Sequence, residues 1–339
     1  MKLSGEIALA SGFIFDYSNM INTDTITPAV IETLESKAKD AADALLLIRE
    51  QGMAKAHLSK DGTPEHVLFT KLPFVKTGNP NTPESIAKLK QFGSYLQQEI
   101  DAVVFLGVGG SYLGNKVLFD IFAGSGWNVG CEKRRHGYPR VYFSGNNLDV
   151  DQYSEVVDEV EYLATHRQGK NEQFRVLLVP ISKSGTTLET LAAFSYFYEQ
   201  CQKSSLLQME VAVVTDLDED ISPLYNLAKE NVWQCFDIKE GIGGRFCIFS
   251  DPGLITAAAI GMDIENACQS ASLGENPALL NAVLKYAAAE KGVDIEVFMP
   301  YAAKMKSVGE WYVQLLAESL GKRKDRKGNV VYYGRTPVS

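Results

Sequence analysis

One stretch of this sequence contains a strand, a loop and the start of a helix in succession: Val176-Leu-Leu-Val-Pro-Ile-Ser-Lys-Ser-Gly-Thr-Thr-Leu-Glu-Thr190. The apolar run is typical of a strand that is buried on both faces, and helical spacing begins near Leu188. A buried strand that leads through a polar loop into a helix is half of a βαβ unit. The stretch therefore predicts a parallel sheet covered by helices.

The same alternation continues on both sides of this stretch. Strand-type runs lie at residues 102–106, 141–143, 176–181, 211–214 and, more weakly, 233–236. Segments of helical length separate or follow them, at residues 113–122, 153–163, 188–201 and 221–227. We therefore predict an α/β fold with one complete, doubly wound domain of five parallel strands in the flavodoxin-like order 2-1-3-4-5.

The pattern divides the chain into three parts. We predict an N-terminal arm with helices over residues 1–83, where no strand alternation is visible, and the five-stranded domain over residues 84–240. Residues 241–339 are predicted to be a linker and an incomplete second α/β domain, because the tract at 241–244 is glycine-rich and a single strand pattern follows it, at 295–299.

The last part also contains helical patterns, at residues 254–260, 278–289 and 303–320. We expect apolar surface of residues 295–299 and 303–320 to face water, since one strand cannot form a sheet. Met299, Met305 and Trp311 are nevertheless better explained as core residues than as ligand contacts.

Composition limits the class of protein. The 339 residues are 45% hydrophobic and 22% charged, as in soluble globular proteins, and the formal net charge of −9 disfavours a nucleic-acid partner. No apolar run is long enough for a membrane span and no signal peptide is visible, so a cytoplasmic protein is expected. No metal site is predicted from the cysteines and histidines, because they form no CxxC, HxxxH or Cys/His cluster: Cys131, Cys201, Cys235, Cys247, Cys268, His57, His66, His136 and His166.

The first strand runs into a glycine-rich turn, Gly107-Val-Gly-Gly-Ser111. Gly109 and Gly110 allow backbone N–H groups to approach an anion at the start of a helix. A dinucleotide fits poorly, because Tyr112 stands where the G-x-G-x-x-G pattern requires glycine. A phosphate site and a purely structural turn remain the two alternatives here.

The loop after the third strand is richer in donors than a helix cap requires. Four hydroxyl groups and one ammonium group surround Gly185, from Ser182, Lys183, Ser184, Thr186 and Thr187. Such a loop offers neutral hydrogen bonds and one fixed charge to a phosphate dianion. Strands one and three are neighbours in the predicted order, so both loops can hold one phosphate at the carboxyl edge of the sheet.

Four segments of this chain resemble successive signature segments of the glucose-6-phosphate isomerase family: Gly107-Val-Gly-Gly-Ser-Tyr-Leu-Gly114, Ser182-Lys-Ser-Gly-Thr-Thr-Leu-Glu-Thr190, Gly243-Gly-Arg-Phe-Cys-Ile-Phe-Ser250 and Ala317-Glu-Ser-Leu-Gly-Lys322. Asp16-Tyr-Ser-Asn19 resembles the start of the bacterial branch. The resemblance implies a sugar-isomerase fold, a homodimer, and interconversion of D-glucose 6-phosphate and D-fructose 6-phosphate in glycolysis and gluconeogenesis, without cofactor or metal.

The resemblance also implies roles for individual residues. Gln314 matches a substrate contact, Glu318 the base and Arg245 the arginine that stabilises the intermediate. The phosphate-binding positions are matched by Gly110, Ser111, Ser182, Lys183, Ser184 and Thr187. Aldose-ketose isomerisation moves a proton between two carbons through a cis-enediol, so one carboxylate can perform both transfers while a guanidinium stabilises the enediolate.

Two further expectations concern activity. Members of the family continue to a ring-opening histidine and a later lysine, which no residue of this chain matches, so we expect the 339 residues alone to bind sugar phosphates weakly and to isomerise them slowly or not at all. The alternatives are a non-catalytic sugar-phosphate-binding regulatory module and an isomerase that also acts on mannose 6-phosphate.

Overall fold

The computed structural model describes residues 5–9, 12–21, 26–58, 62–166, 170, 172–272, 277–325, 328–331 and 336–339. Its strands are β1 (Glu6–Ala8), β2 (Ile14–Asp16), β3 (Met53–Leu58), β4 (Pro64–His66), β5 (Ala102–Leu106), β6 (Arg140–Ser144), β7 (Phe174–Pro180), β8 (Leu207–Thr215), β9 (Gln234–Asp237), β10 (Ile295–Val297) and β11 (Thr336–Val338). Its α-helices are α1 (Pro28–Gln51), α2 (Pro83–Glu99), α3 (Gly110–Phe122), α4 (Val150–Thr165), α5 (Leu188–Lys203), α6 (Pro223–Glu230), α7 (Asp251–Ala259), α8 (Ile264–Ser272), α9 (Ala278–Ala289) and α10 (Lys306–Leu320).

The central sheet has five parallel strands in the order β6-β5-β7-β8-β9. Numbered along the chain, this is 2-1-3-4-5, so the predicted order is confirmed. The first strand, β5, pairs with β6 on one side and β7 on the other, and all five of its residues are buried. The loops that follow β5 and β7 therefore leave the sheet side by side at its carboxyl edge.

Successive residues of β5 point to opposite faces of the sheet, as a strand requires. Val103 and Phe105 pack into one core with α2, α3 and α7, whereas Val104 and Leu106 pack into a second core with α4, α5 and α6. Each such side chain stabilises the fold by roughly 1.5–3 kcal/mol through burial. These two helical layers hold the carboxyl edge of β5 and β7 in a fixed position.

The glycine-rich tract after β9 is anchored at one residue and leads into a helix of the core. Ile242 is buried, and residues Gly244–Phe249 form a 3₁₀-helix that leads directly into α7. Since α7 lies in the core of the five-stranded sheet, that core extends beyond residue 240. The three-part division at residues 83 and 240 stays a prediction.

The N-terminal part contains two antiparallel hairpins, β1-β2 and β3-β4, where the sequence pattern predicted no strands. Its long helix α1 packs on α9 around Leu34, Ala38, Leu284 and Ala287. Short two-stranded hairpins have little apolar alternation, because they are only partly buried. This explains why their sequences resemble loops.

The C-terminal part contains one parallel strand pair, β10-β11, with α10 between the two strands in sequence. Ile295 and Val297 are mainly exposed, which confirms the expected apolar surface. Met299 and Met305 are exposed as well, so the interpretation of these two methionines as core residues was wrong. Within the described ranges, no helix has the combination of length and apolar character that a membrane span requires.

Candidate active site

The glycine turn after β5 brings the start of α3 close to the strand. Gly109 has φ 54° and precedes the helix as its N-cap residue, a conformation that favours glycine. A Cβ on Gly107 would lie 2.7 Å from the carbonyl oxygen of Ser111, so only glycine fits there as well. The turn therefore directs the N-terminus of α3, with Gly110 and Ser111 in its first turn, towards the carboxyl edge.

The loop after β7 pairs its hydroxyl groups with one another. Ser182 is buried, and its Oγ lies 2.8 Å from Oγ1 of Thr187. Ser184 Oγ lies 2.8 Å from Oγ1 of Thr186, and the residue between them, Gly185, has φ 64°. These short contacts fix four predicted hydroxyl groups around one tight turn.

Buried groups beneath the loop hold it in place. Thr215 Oγ1 donates to the carbonyl oxygen of Ser182 at 2.7 Å and lies 2.6 Å from the Ser222 hydroxyl group. Lys183 Nζ donates to the carbonyl oxygen of Ile242 at 3.3 Å. Buried hydrogen bonds thus hold the loop, and Lys183 gives it a positive charge, which suits an anionic ligand.

The two helices that follow these loops lack a side-chain cap. Gly109, before α3, has no side chain, and Thr187, before α5, makes no cap hydrogen bond because its hydroxyl group faces Ser182. Four other helices, α1, α2, α4 and α6, are capped by the side chains of Thr27, Thr82, Asp149 and Ser222. Uncapped N-terminal N–H groups are the ordinary donors for a phosphate.

The glycine turn touches the 3₁₀-helix that contains Arg245. A Cβ on Gly110 would lie 2.6 Å from the Cα of Gly244, so the two backbones cross in close contact. The Cys247 thiol donates to the carbonyl oxygen of Gly110 at 2.9 Å, and burial raises the pKa of this thiol to about 12, which keeps it protonated. The first loop and Arg245 therefore belong to one rigid junction.

Arg245 and Glu318 meet at this junction. Arg245 Nη1 lies 3.4 Å from Glu318 Oε2, and Arg245 Nε donates to Ser319 Oγ at 3.1 Å. Gln314 Nε2 donates to Glu318 Oε1 at 2.8 Å and would lie 3.0 Å from a Cβ on Gly109. A chain of contacts therefore connects the glycine turn to the carboxylate and the guanidinium group.

A cavity of about 490 Å³ opens beside this pair, a size suited to a small ligand. Lys183, Arg245 and Ser319 line it on one side, and His66 and Phe69 line it as well. Glu318, Gln314 and the other predicted site residues do not line the cavity. Trp311 Nε1 donates to the Arg245 carbonyl oxygen at 2.9 Å, an anchor that sequence reasoning did not identify as such.

Acidic groups with raised pKa values lie near the loop after β7. Burial, and to a lesser extent the charge of Asp237, raises the pKa of Asp216, which the nearby Lys183 opposes. Burial also raises the pKa of Asp251 to about 6, although its carboxylate accepts the N–H of Asp237 at 3.0 Å. In the described part of the chain, which excludes the His57 side chain, no three His, Cys, Asp or Glu groups are placed to hold a metal ion.

Fold and site together define a doubly wound α/β protein that can bind a small anion at the switch point of its sheet, next to a paired carboxylate and guanidinium group. A family model described as phosphoglucose isomerase matches residues 84–339. The chain therefore belongs to the phosphoglucose isomerase family.

Similar proteins agree with this assignment. Glucose-6-phosphate isomerases from Carboxydothermus hydrogenoformans and Acetivibrio thermocellus are 31% and 32% identical over 75% and 72% of this chain. Both matches cover 54% of the relative, so the chain spans about half the length of the relatives it matches. A crystal structure of a glucose-6-phosphate isomerase from Chlamydia trachomatis shares the fold, with a TM-score of 0.64 and 22% identity over 91% of this chain and 60% of the other.

Proposed function

We propose that this protein interconverts D-glucose 6-phosphate and D-fructose 6-phosphate through a cis-enediol, with no cofactor. One observation carries the proposal: Glu318 is held by Arg245 and Gln314, and Arg245 lines one cavity together with Lys183 of the hydroxyl-rich loop. A phosphate bound at the loop would leave the sugar carbons within the same cavity as the guanidinium group. The names of the relatives support this choice of substrate.

The phosphate group would be bound by neutral donors and a single cation. The first turns of α3 and α5 offer N–H groups, while Ser184 and Thr187 offer hydroxyl groups and Lys183 offers its ammonium group. Hydrogen bonds of neutral groups to a dianion are stronger than those between neutral partners. These groups would fix the phosphate end of the substrate, and they do not distinguish the configuration at C2.

The reacting carbons would lie beside Glu318. Its carboxylate removes a proton from C1 or C2 and returns it to the neighbouring carbon, and the resulting enediolate is stabilised by the positive charge of Arg245. Gln314, one helical turn before Glu318, fixes the orientation of the carboxylate through its 2.8 Å hydrogen bond. Arg245 is itself fixed by Ser319 and Trp311, so little reorganisation is needed during the reaction.

The test uses the exchange of the substrate C–H hydrogen with deuterated water, followed by NMR on fructose 6-phosphate. Glu318→Gln is expected to lower the exchange rate by at least about 100-fold, since it removes the base, while calorimetry shows sugar-phosphate binding largely intact. Glu310→Gln, on the same helix, is the matched control and should exchange at the unaltered rate. Equal exchange by the Glu318 variant would refute the role of Glu318 as the base.

Two outcomes would favour other functions. Hydrogen exchange needs only the proton transfer by Glu318 and should be detectable even where isomerisation is slow. Binding without any exchange by the unaltered chain would therefore favour a sugar-phosphate-binding regulatory module, and exchange with mannose 6-phosphate would indicate a broader isomerase. A homodimer in the cytoplasm is part of the proposal, and sedimentation analysis of the purified chain tests the dimer.

A further inference from the structure

The cavity next to Arg245 has a wall that precedes the part of the chain matched by the family model. Pro64, Val67 and Phe69 line this wall together with His66, yet the match begins only at residue 84. The wall is formed by strand β4 and the segment that follows it. No residue of this segment has been given a role above.

The segment is firmly attached to the residues around Arg245. Leu68 donates its N–H to the carbonyl oxygen of Gly241 at 2.9 Å, and Gly241 has φ 74°. A Cβ on Gly241 would lie 3.0 Å from the Cβ of His66, so glycine at this position permits the close approach of β4. Phe69 stacks on Phe246 with ring centroids 3.9 Å apart and an interplanar angle of 6°.

A second attachment lies at the far end of the segment. The buried Asn81 amide donates to the carbonyl oxygens of Leu72 and Phe249, both at 2.7 Å. Leu72 packs in turn on Ile242 and Cys247 in a small buried cluster. The wall therefore stays in place without a ligand, and His66 is exposed to the cavity from a fixed backbone.

The charges along the wall indicate which end of a ligand it faces. Glu65 and Glu240 line the cavity together with His66, whereas Lys183 and Arg245 are its cationic groups. Two carboxylates repel a phosphate dianion but accept hydrogen bonds from hydroxyl groups. An imidazole ring can also exchange hydrogen bonds with a hydroxyl group in either direction.

We propose that His66 is a substrate-binding residue that contacts the hydroxyl groups of the sugar, at the end of the ligand away from the phosphate-binding loops after β5 and β7. This inference rests on the proposed function, because it takes the ligand to be a hexose phosphate. It assigns the sugar end of the site to a segment outside the matched family region. The phosphate end stays with the loops after β5 and β7.

The experiment compares two ligands by calorimetry on the full 339-residue chain. Binding of fructose 6-phosphate depends on both the sugar end and the phosphate end of the site, while binding of inorganic phosphate depends on the phosphate end alone. His66→Ala is expected to weaken fructose 6-phosphate binding about five- to tenfold, equivalent to about 1 to 1.4 kcal/mol, which is the size of one hydrogen bond. Phosphate affinity should not change, and His66→Gln should recover part of the loss.

His166→Ala is the matched control, because His166 is an exposed histidine at the C-terminal end of α4 and does not line the cavity. It should bind both ligands as the unaltered chain does. A second readout is the imidazole NMR signal that disappears in His66→Gln: it should shift on addition of fructose 6-phosphate and much less with inorganic phosphate.

Three results would overturn the inference. If His66→Ala binds fructose 6-phosphate as tightly as the unaltered chain, His66 makes no useful contact. If it loses affinity equally for phosphate and for fructose 6-phosphate, the change acts on the phosphate-binding loops and not on the sugar end. If the unaltered chain binds phosphate but gains nothing from the sugar, the proposed function fails along with this inference.

Discussion

Replacing Gly110 with alanine tests whether the glycine turn and Arg245 form one rigid junction. The added Cβ would lie 2.4 Å from the carbonyl carbon of Gly244, its nearest neighbour, whereas ordinary contacts begin near 3.4 Å, so the two backbones must separate by about 3.4 − 2.4 = 1.0 Å. The shift acts on the 3₁₀-helix that contains Arg245. Overpacking of this kind costs about 1–3 kcal/mol of unfolding free energy.

The same shift should affect the reaction as well as the stability. A displacement close to 1 Å at a reacting group costs on the order of 100-fold in rate, so hydrogen exchange of fructose 6-phosphate should slow by about that factor. Urea unfolding and exchange measured by NMR in deuterated water would give the two quantities on the same preparation.

The partner glycine provides a matched control for this prediction. A Cβ on Gly244 would lie 3.4 Å from the Cα of Gly110, an ordinary contact, and Gly244 does not have a positive φ. Gly244→Ala should therefore retain its stability or gain about 0.4–1 kcal/mol, because alanine restricts the unfolded chain. Unaltered stability and exchange in Gly110→Ala, or equal damage from both changes, would refute the idea of a close backbone crossing.

Three further predictions concern the groups around the site. Asp251→Asn should raise the unfolding free energy at pH 7.5 by up to about 3 kcal/mol and should change it little near pH 4, as urea titrations at both pH values would measure. The figure follows from the pKa of Asp251, which lies at about 6 and thus about 2 above its ordinary value of 3.8, at 1.36 kcal/mol for each pKa unit. Trp311→Phe removes the 2.9 Å hydrogen bond to the Arg245 carbonyl oxygen, so exchange should slow while phosphate affinity stays constant, and unfolding should cost about 1 kcal/mol less. Thr187→Val keeps the volume but removes a hydroxyl group 2.8 Å from Ser182 Oγ, and calorimetry should show phosphate binding weakened by roughly tenfold or more.

The sign of the Asp251 effect follows from proton binding. Its folded pKa of about 6 lies above the ordinary value of 3.8, so the folded protein keeps a proton that the unfolded chain releases between these pH values. The stability due to this group is complete below about pH 4 and is lost as the pH rises through about 6. A variant that is no more stable than the unaltered protein at pH 7.5 would contradict the prediction.

The other two predictions have equally definite contrary outcomes. Exchange at the unaltered rate in Trp311→Phe would mean that the indole does not position Arg245. Unchanged phosphate affinity in Thr187→Val would move the phosphate away from the start of α5. Thr165→Val, at the remote end of α4, is a suitable control because it also removes one threonine hydroxyl group.

Local sequence was sufficient to predict the sheet, and the reason is burial on both faces. The run Ala102–Leu106 has no polar residue, since each side chain enters one of two cores, and its predicted ends match the strand in the structure. The loop from Ser182 to Thr187 was equally visible, because four hydroxyl groups and a lysine exceed what a cap requires.

Contacts between distant segments could not be predicted from local patterns. Residues 241–244 were predicted to be part of a linker, yet the backbone of Gly244 crosses that of Gly110 so closely that Gly110 has no room for a Cβ, and no local pattern indicates such a contact. The hairpin of β3 and β4 is short and partly exposed, so its residues carry little strand signal. His66 reaches the cavity only through this hairpin, which is why it matched no expected site position.

Different parts of the fold hold the loop after β7 and the catalytic candidate Arg245. The loop after β7 is held by the buried hydroxyl groups of Thr215, at the end of β8, and Ser222, the N-cap residue of α6. Arg245 is held instead by α10, through Trp311 and Ser319, and its 3₁₀-helix contacts the first loop where Gly244 and Cys247 meet Gly110. Changes at Trp311 or Ser319 should therefore alter the rate of exchange more than the phosphate affinity, because these residues hold Arg245 and not the loop after β7. Gly110→Ala, which acts on the contact between the first loop and the 3₁₀-helix, should alter both.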